Sequence, residues 1–269
     1  MNYIDEAGAT NSEFWEKEVQ KGGGHTLPWV DIDIDQLRRY IRGELGEERL
    51  LGRKEPRRGV NMASENLRLL GDVEGKDVLC LSCGGGQQSA VFSLLSARVT
   101  VVDITEGQLE GDRTAAAHYG YDVRTIHTDA RDLSSLEAGF FDIAWGMTPC
   151  YVPSIRDVYT QVARVLKPGG VYRTDQGKPG LFAVEWDGGG YRIGKPYAES
   201  TQTRDDGAIE FRHYLDDIFN GLSDNGFLLW RVEDNARYRK PIPDTRPGSY
   251  SHESAWIGGG FTIFAKKED

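Results

Sequence analysis

The part of this chain with the most chemical opportunity is LSCGGGQQ, residues 81–88, where an apolar run ends in three glycines. Glycines placed there let backbone approach a ligand closely, and a helix that follows offers N–H groups without intrahelical partners. On its own such a cluster describes any tight strand-to-helix turn. Two acids add to it. VTVVD ends in Asp103, seventeen residues beyond Gly86, and HTDARDL brings Asp129 to a third tip. An acid at the second tip can accept hydrogen bonds from a ribose diol, and one at the third suits the amino group of an adenine edge. Either acid could instead cap the next helix. Three polar tips in succession point to a nucleoside pocket.

These tips need elements to hold them. From residue 75 short apolar runs alternate with helical patterns: KDVLCLS, RVTVVD, DVRTIHTD, FFDIAWG and VYRTDQ read as strands. Between FFDIAWG and VYRTDQ, Ile155, Val158, Tyr159, Val162 and Leu166 line one helix face, with Ser154 and Asp157 as a capping box and KPGG as the stop. Strands alternating with helices imply a parallel sheet covered on both faces. After the helix HYLDDIFNGLSDNG, two strands, FLLWRVED and GGFTIFAKK, follow with no helical pattern between them, so they should pair antiparallel. Residues 1–70 are polar and mostly helical in pattern; Asn11 or Ser12 caps a helix carrying Phe14, Trp15 and Val19 on one face, and GGGHTLP breaks the chain at 22–28.

In their order and spacing, DVLCLSCGGGQQSAVF, VTVVDIT, HTDARDL, FFDIAWG and VARVLKPGGVYR resemble a class I methyltransferase dependent on S-adenosylmethionine (SAM), over residues 75 to 175. The resemblance implies an α/β, Rossmann-like fold: a mostly parallel seven-stranded sheet with a C-terminal antiparallel hairpin. It implies that Gly84 and Gly86, with Gly85 between them, approach the methionyl part of SAM. Asp103 then binds the ribose, with Ile104 and Gln108 beside it, and Asp129 with Ala130 the adenine; Gly146 and Met147 line the methyl-transfer side. Two positions depart from the family. Its first-strand acid falls on Cys80 and the first glycine of its motif on Ser82, so Ser82, Gln88 and the N-terminal Tyr3 and Trp15 are expected to hold the methionine end. The sequence is also similar to a bacterial and archaeal subgroup with a Trp-bearing N-terminal helix and a T-x-P turn, here Trp15 and Thr26 to Pro28.

Two segments should complete a chamber: an N-terminal helical cap, 1–70, and an insertion at about 176–210 within the SAM-binding domain, 71–269. In the insertion, FAVEWDGGGYRIGKPY reads as a β-hairpin that can arch over the site as a lid, or as a plain surface hairpin. If the acceptor must lose a proton, Tyr151, His213 and His25 are the candidate bases. The acceptor atom is not readable.

Composition sets outer limits. The chain has 269 residues and a formal net charge of -10, a poor match to phosphate backbones, so nucleic acid is not an expected partner. The dense basic run GRKEPRR, 52–58, reads as a solvated helix end or loop. Strand four leads into GMTPCY, not the Asn/Asp-Pro-Pro-aromatic signature of base methylation, which favours a small-molecule acceptor. The N-terminus lacks a signal pattern, no run approaches membrane-spanning length, and three cysteines make no disulfide framework, so the expected location is the cytoplasm. Cys80 and Cys83 lie in strand one and its turn without a second pair to complete a zinc site, and no metal is expected. A homodimer is compatible with the chain. Three other readings stay open: a SAM-using lyase or cyclase, a non-catalytic SAM-binding module, and a nicotinamide-dependent dehydrogenase, against which LKPGG and the C-terminal strand pair speak.

Overall fold

The computed structural model describes residues 5–44, 67–146, 149–234 and 246–269. Five parallel strands, β1 (Asp77–Leu81), β2 (Arg98–Asp103), β3 (Val123–His127), β4 (Phe141–Gly146) and β5 (Leu166–Gly177), form most of a seven-stranded sheet. Two more, β10 (Phe227–Asp234) and β11 (Gly260–Lys267), close one edge, and the order is β10-β11-β5-β4-β1-β2-β3. Neighbours among the first five run parallel, whereas β11 is antiparallel to both β5 and β10, the pairing expected from the sequence although a helix does lie between β10 and β11.

Side chains on successive strand positions leave by opposite faces, and both faces are covered. Val78, Cys80, Val101, Ile143 and Trp145 enter one core with Trp29, Phe92 and Leu109. Leu79, Leu81, Val102 and Ala144 enter the other with Val158, Tyr159, Val162, Ile218 and Leu222. The covering helices are α3 (Gln88–Leu94), α4 (Glu106–Tyr119), α5 (Ile155–Val165) and α6 (Leu215–Asp224). The strand order reverses direction between β1 and β4, and the carboxyl ends there open the crevice in which such sheets hold ligands.

Several boundaries differ from the sequence reading. The first helix, α1, runs Glu6–Lys21 with Asp5 as its cap, accepting from Gly8 N–H at 2.8 Å, so neither Asn11 nor Ser12 caps it. Both face inward: Ser12 Oγ donates to the Ile104 carbonyl at 2.8 Å, and Asn11 reaches residues far along the chain. The second, α2 (Ile34–Ile41), is followed by a 3-10 turn at Leu67–Leu70. α5 starts as expected, Ser154 Oγ accepting from Asp157 N–H at 3.3 Å, but it stops at Val165 and β5 begins at Leu166. Pro168 explains this, since the residue before a proline is pushed out of the helical region. Between β10 and β11 lies a helix with no sequence signal, α7 (Tyr250–Ile257), started by Ser249 Oγ accepting from His252 N–H.

The insertion holds two hairpins where one was expected. Strands β6 (Val184–Trp186) and β7 (Tyr191–Ile193) pair across the GGG bend, and β8 (Thr201–Thr203) pairs with β9 (Ile209–Phe211). Tyr3, Met147 and the GRKEPRR run lie outside the described residues. Among the described residues no helix is long and apolar enough to cross a membrane.

Candidate active site

A cavity of about 800 Å³ opens at the carboxyl ends of β1, β2 and β5. Its wall takes Ser82, Gly84 and Gln88 from the turn after β1, and Asp103, Ile104 and Gln108 from the second tip. Asp129 and Ala130 come from the third, Trp15 from α1 and His25 from the broken loop. Tyr151 and His213 line it as well. The expected cofactor and base residues therefore converge, with five exceptions. Tyr3 and Met147 lie outside the described residues, and Gly85, Gly86 and Gly146 lie behind the wall. At Gly146 a side chain would start 3.1 Å from the Tyr172 ring.

The glycine turn is built differently from the open N–H cradle its sequence suggests. Gly84 N–H donates to Asp103 Oδ2 at 3.0 Å. Gly85 N–H is shared between the Gln108 carbonyl at 2.8 Å and Asp112 Oδ2 at 3.2 Å, and Gly86 N–H goes to Asp112 Oδ1 at 3.1 Å. Ser89 Oγ donates to Asp112 as well. All three turn amides are thus spent inside the protein. The glycines instead allow α4 to cross directly over the turn: a Cβ on Gly86 would sit 2.3 Å from the Gly111 carbonyl, and Gly85 and Gly86 both have positive φ, +103° and +72°.

Asp112 went unnoticed in the sequence because it sits in a helix whose polar pattern reads as solvated. It is fully buried, and burial with the nearby Asp103 charge pushes its carboxyl up to about 7. Asp103, also buried, is raised to about 6 by burial, partly offset by the amides of Gly84 and Thr105. Each Asp103 oxygen accepts one backbone hydrogen bond, leaving acceptor capacity toward the cavity. Beside it Gln108 Oε1 is buried with no donor among the described residues. The Asp103 carboxylate on the cavity wall matches a ligand bearing hydroxyls.

At the third tip, Asp129 does not stand alone. Arg131 binds it through Nη2 at 2.7 Å and Nε at 3.0 Å, and extends to Asp5 at the start of α1. Arg131 also holds the Asp5 carboxyl below its ordinary range. A side chain at Gly8 would begin 3.2 Å from Asp129 Oδ2, so α1 closes over this end of the cavity. The broken loop is fastened too: Gln87 Nε2 donates to the Gly24 and Leu27 carbonyls at 3.3 and 3.1 Å, and Trp29 N–H to the Gly86 carbonyl at 3.1 Å.

The far wall carries the candidate bases. Tyr151, in a 3-10 turn at Pro149–Tyr151, stacks on Phe14 and meets Trp15 edge-on at 5.4 Å. Burial pushes its phenol well above the ordinary value. His213 Nε2 lies 2.9 Å from the Pro149 carbonyl, and burial lowers its imidazole below 6.5. A carbonyl only accepts, so this nitrogen carries the proton and Nδ1 keeps a lone pair. α7 adds Glu253, which nothing in its sequence surroundings marked; burial and the Glu210 charge raise it to about 7. Arg173 stacks over the Trp145 ring at 4.3 Å and pairs with Asp175. Cys80 and Cys83 are buried, and burial raises both thiols far above their usual value, which agrees with an inert role. Among the described residues no group of three or more His, Cys, Asp or Glu could hold a metal ion.

The geometry so far describes a nucleoside-sized crevice roofed by an N-terminal helix. Comparison with known proteins gives it a lineage. A family model described as methyltransferase domain matches residues 78–170. The Bacillus subtilis (strain 168) protein named Uncharacterized methyltransferase YbaJ is 30% identical over 236 residues, covering 82% of this chain and 88% of that protein. This chain belongs to the methyltransferase family. A ubiquinone biosynthesis O-methyltransferase of Bordetella avium (strain 197N) is 32% identical over 103 residues, 38% of this chain and 43% of the relative. Among solved structures, geranyl diphosphate C-methyltransferase from Streptomyces coelicolor A3(2) superposes with a TM-score of 0.65 over 99% of this chain and 100% of its own, at 18% identity. An S-adenosylmethionine-dependent methyltransferase from Mesorhizobium loti gives 0.61 over 78% of this chain and 100% of its own, at 20% identity. At such identities these structures speak to the fold alone.

Proposed function

We propose that this methyltransferase moves the methyl group of SAM to a small molecule held in the 800 Å³ cavity. The observation that carries the reading is the spent glycine turn. A dinucleotide pyrophosphate needs free backbone N–H groups at this turn, and here they go to Asp103, Asp112 and the Gln108 carbonyl. What remains on the cavity wall is the Asp103 carboxylate, an acceptor suited to a ribose diol, with Gln108 beside it.

The residues present fit SAM. Asp103 and Gln108 would hold its ribose, and Asp129, Ala130 and Ile104 would flank its adenine. Ser82, Gln88 and the Trp15 edge would meet its methionine end. When bound, the sulfonium supplies an electrophilic methyl, so the protein's own work is alignment and exclusion of water. Trp15 and Tyr151 supply aromatic surface for that. If the acceptor atom carries a proton at working pH, His213 Nδ1 and Glu253 are the groups on this wall able to take it. The phenol of Tyr151 is held too far up to act as a base and serves as wall. An aromatic-lined chamber of this size suits a small acceptor, the class named for the Bordetella and Streptomyces proteins.

Calorimetric titration with SAM, S-adenosylhomocysteine (the product) and NADH tests the cofactor. Binding of the first two and not the third is expected; NADH binding would overturn it. Release of S-adenosylhomocysteine with a matching mass gain in the acceptor then separates transfer from cyclisation.

A further inference from the structure

Arg212, just after β9, is 4% exposed and lines the cavity. Its Nη1 donates to the carbonyls of Tyr197 and Pro196. Its Nε and Nη2 are buried and have no acceptor among the described residues. The other arginines and lysines described on this wall have carboxylate partners: Arg173 with Asp175, Arg204 with Asp206 and Glu210, and Lys178 with Asp234. Arg212 has none among the described residues.

The two unpaired nitrogens form one edge of the guanidinium, and that edge matches the two oxygens of a carboxylate or phosphate. The same chain shows the edge in use: Arg98 presents Nε and Nη2 to Asp77 at 2.7 and 2.8 Å. Leaving such donors buried and unpaired is costly, and a positive charge adds to the cost. A site absorbs that cost where an acceptor arrives with the ligand. The surroundings agree, since the guanidinium carbon lies 5.2 Å from the Tyr197 ring and 5.4 Å from the Phe182 ring. Both rings belong to the insertion, so the cation sits where the lid segments meet.

We infer that Arg212 receives an anionic group, carboxylate or phosphate, on the methyl acceptor, and that the acceptor is therefore a small anion with an apolar body. This rests on the transferase reading above. Phe182 and Tyr197 lie beside the guanidinium and its edge is buried, so the anion enters as the segments around it part and is enclosed when they close. Phe211 and Phe261 on the same wall provide apolar surface for the body.

The test uses the full chain saturated with S-adenosylhomocysteine and titrated with benzoate, phenyl phosphate and neutral benzamide. At least one of the two anions should bind more than about tenfold tighter than benzamide. Arg212→Met should bring that anion to the level of benzamide, and Arg212→Lys should keep part of the difference. Whichever anion is preferred separates a carboxylate from a phosphate. Equal binding of all three probes, including none at all, overturns the inference, as does undiminished anion binding by a folded Arg212→Met. If that variant does not fold, the wild-type comparison of charged with neutral probe decides. S-adenosylhomocysteine affinity should be the same in wild type and Arg212→Met. Its absence from the wild type would instead strike the transferase reading.

Discussion

At the scale of single residues, the site depends on two buried acids with different tasks. Asp103 faces the cavity and is raised to about 6; Asp112 faces the turn and is raised to about 7. A ribose diol needs the ionised form of Asp103, so S-adenosylhomocysteine should bind with constant affinity above about pH 7 and progressively less well below about pH 6. The limiting slope is about tenfold per pH unit. Asp103→Asn should bind about ten- to a hundredfold more weakly and lose most of this slope, which calorimetry across that range measures. Any slope left in the variant belongs to Asp112 or to Glu253 on the cavity wall. The sign for stability is opposite. Both acids titrate higher folded than unfolded, so the stability they contribute is present below the ordinary carboxylate range and is lost as pH rises through about 6 to 7. Replacing Asp112 with Ala removes the acceptor for Gly86 N–H and should cost about 1–3 kcal/mol in denaturant unfolding, while loosening the turn enough to weaken cofactor binding. Unchanged stability would mean water takes the place of the carboxylate.

At the scale of elements, the arginine between Asp5 and Asp129 decides how α1 is held. Arg131→Met leaves Asp129 buried without its cation and frees the start of α1; a cost of about 3–5 kcal/mol is expected from breaking one side of a buried pair. Asp5→Asn, at a carboxyl that is itself 36% exposed, should cost far less. Thermal melts of the two variants side by side check the ordering. This contact also shows what the sequence could and could not reveal. The sheet was legible because short continuous apolar runs such as DVLCL and FDIAWG, buried on both faces, leave little choice, and the capping pair at Ser154 is local. The position of the α1 start was not, since Asn11 and Ser12 look like caps and spend their side chains on partners 92 to 198 residues away. α7 was not legible either: Trp256 points outward and Ser254 inward, so no apolar stripe marks the helix that brings Glu253 to the cavity. Tip residues are readable because strand ends are local, whereas walls assembled from distant segments leave no spacing to read.

At the scale of the whole molecule, the chamber is closed by segments that meet through one side chain. Asn11 Nδ2 donates to the carbonyls of Tyr151 and Ile209, both at 2.9 Å, and its Oδ1 accepts from Ile209 N–H at 2.8 Å. This fastens α1 to the turn after β4 and to the second hairpin of the insertion, so the roof, the far wall and the lid share a single clasp. A ligand that binds only the closed arrangement should stabilise all three together. S-adenosylhomocysteine at about a hundred times its Kd should add about 2.7 kcal/mol to unfolding stability. Amide hydrogen exchange should slow in α1 and β9 as well as around the glycine turn. Asn11→Ala should keep the protection around the turn, because Asp103 and Asp112 are untouched, and lose it in β9, where Ile209 N–H has lost its acceptor. Wild-type protection confined to the turn would show that the hairpin moves independently of the cofactor, and the acceptor alone would then have to close it.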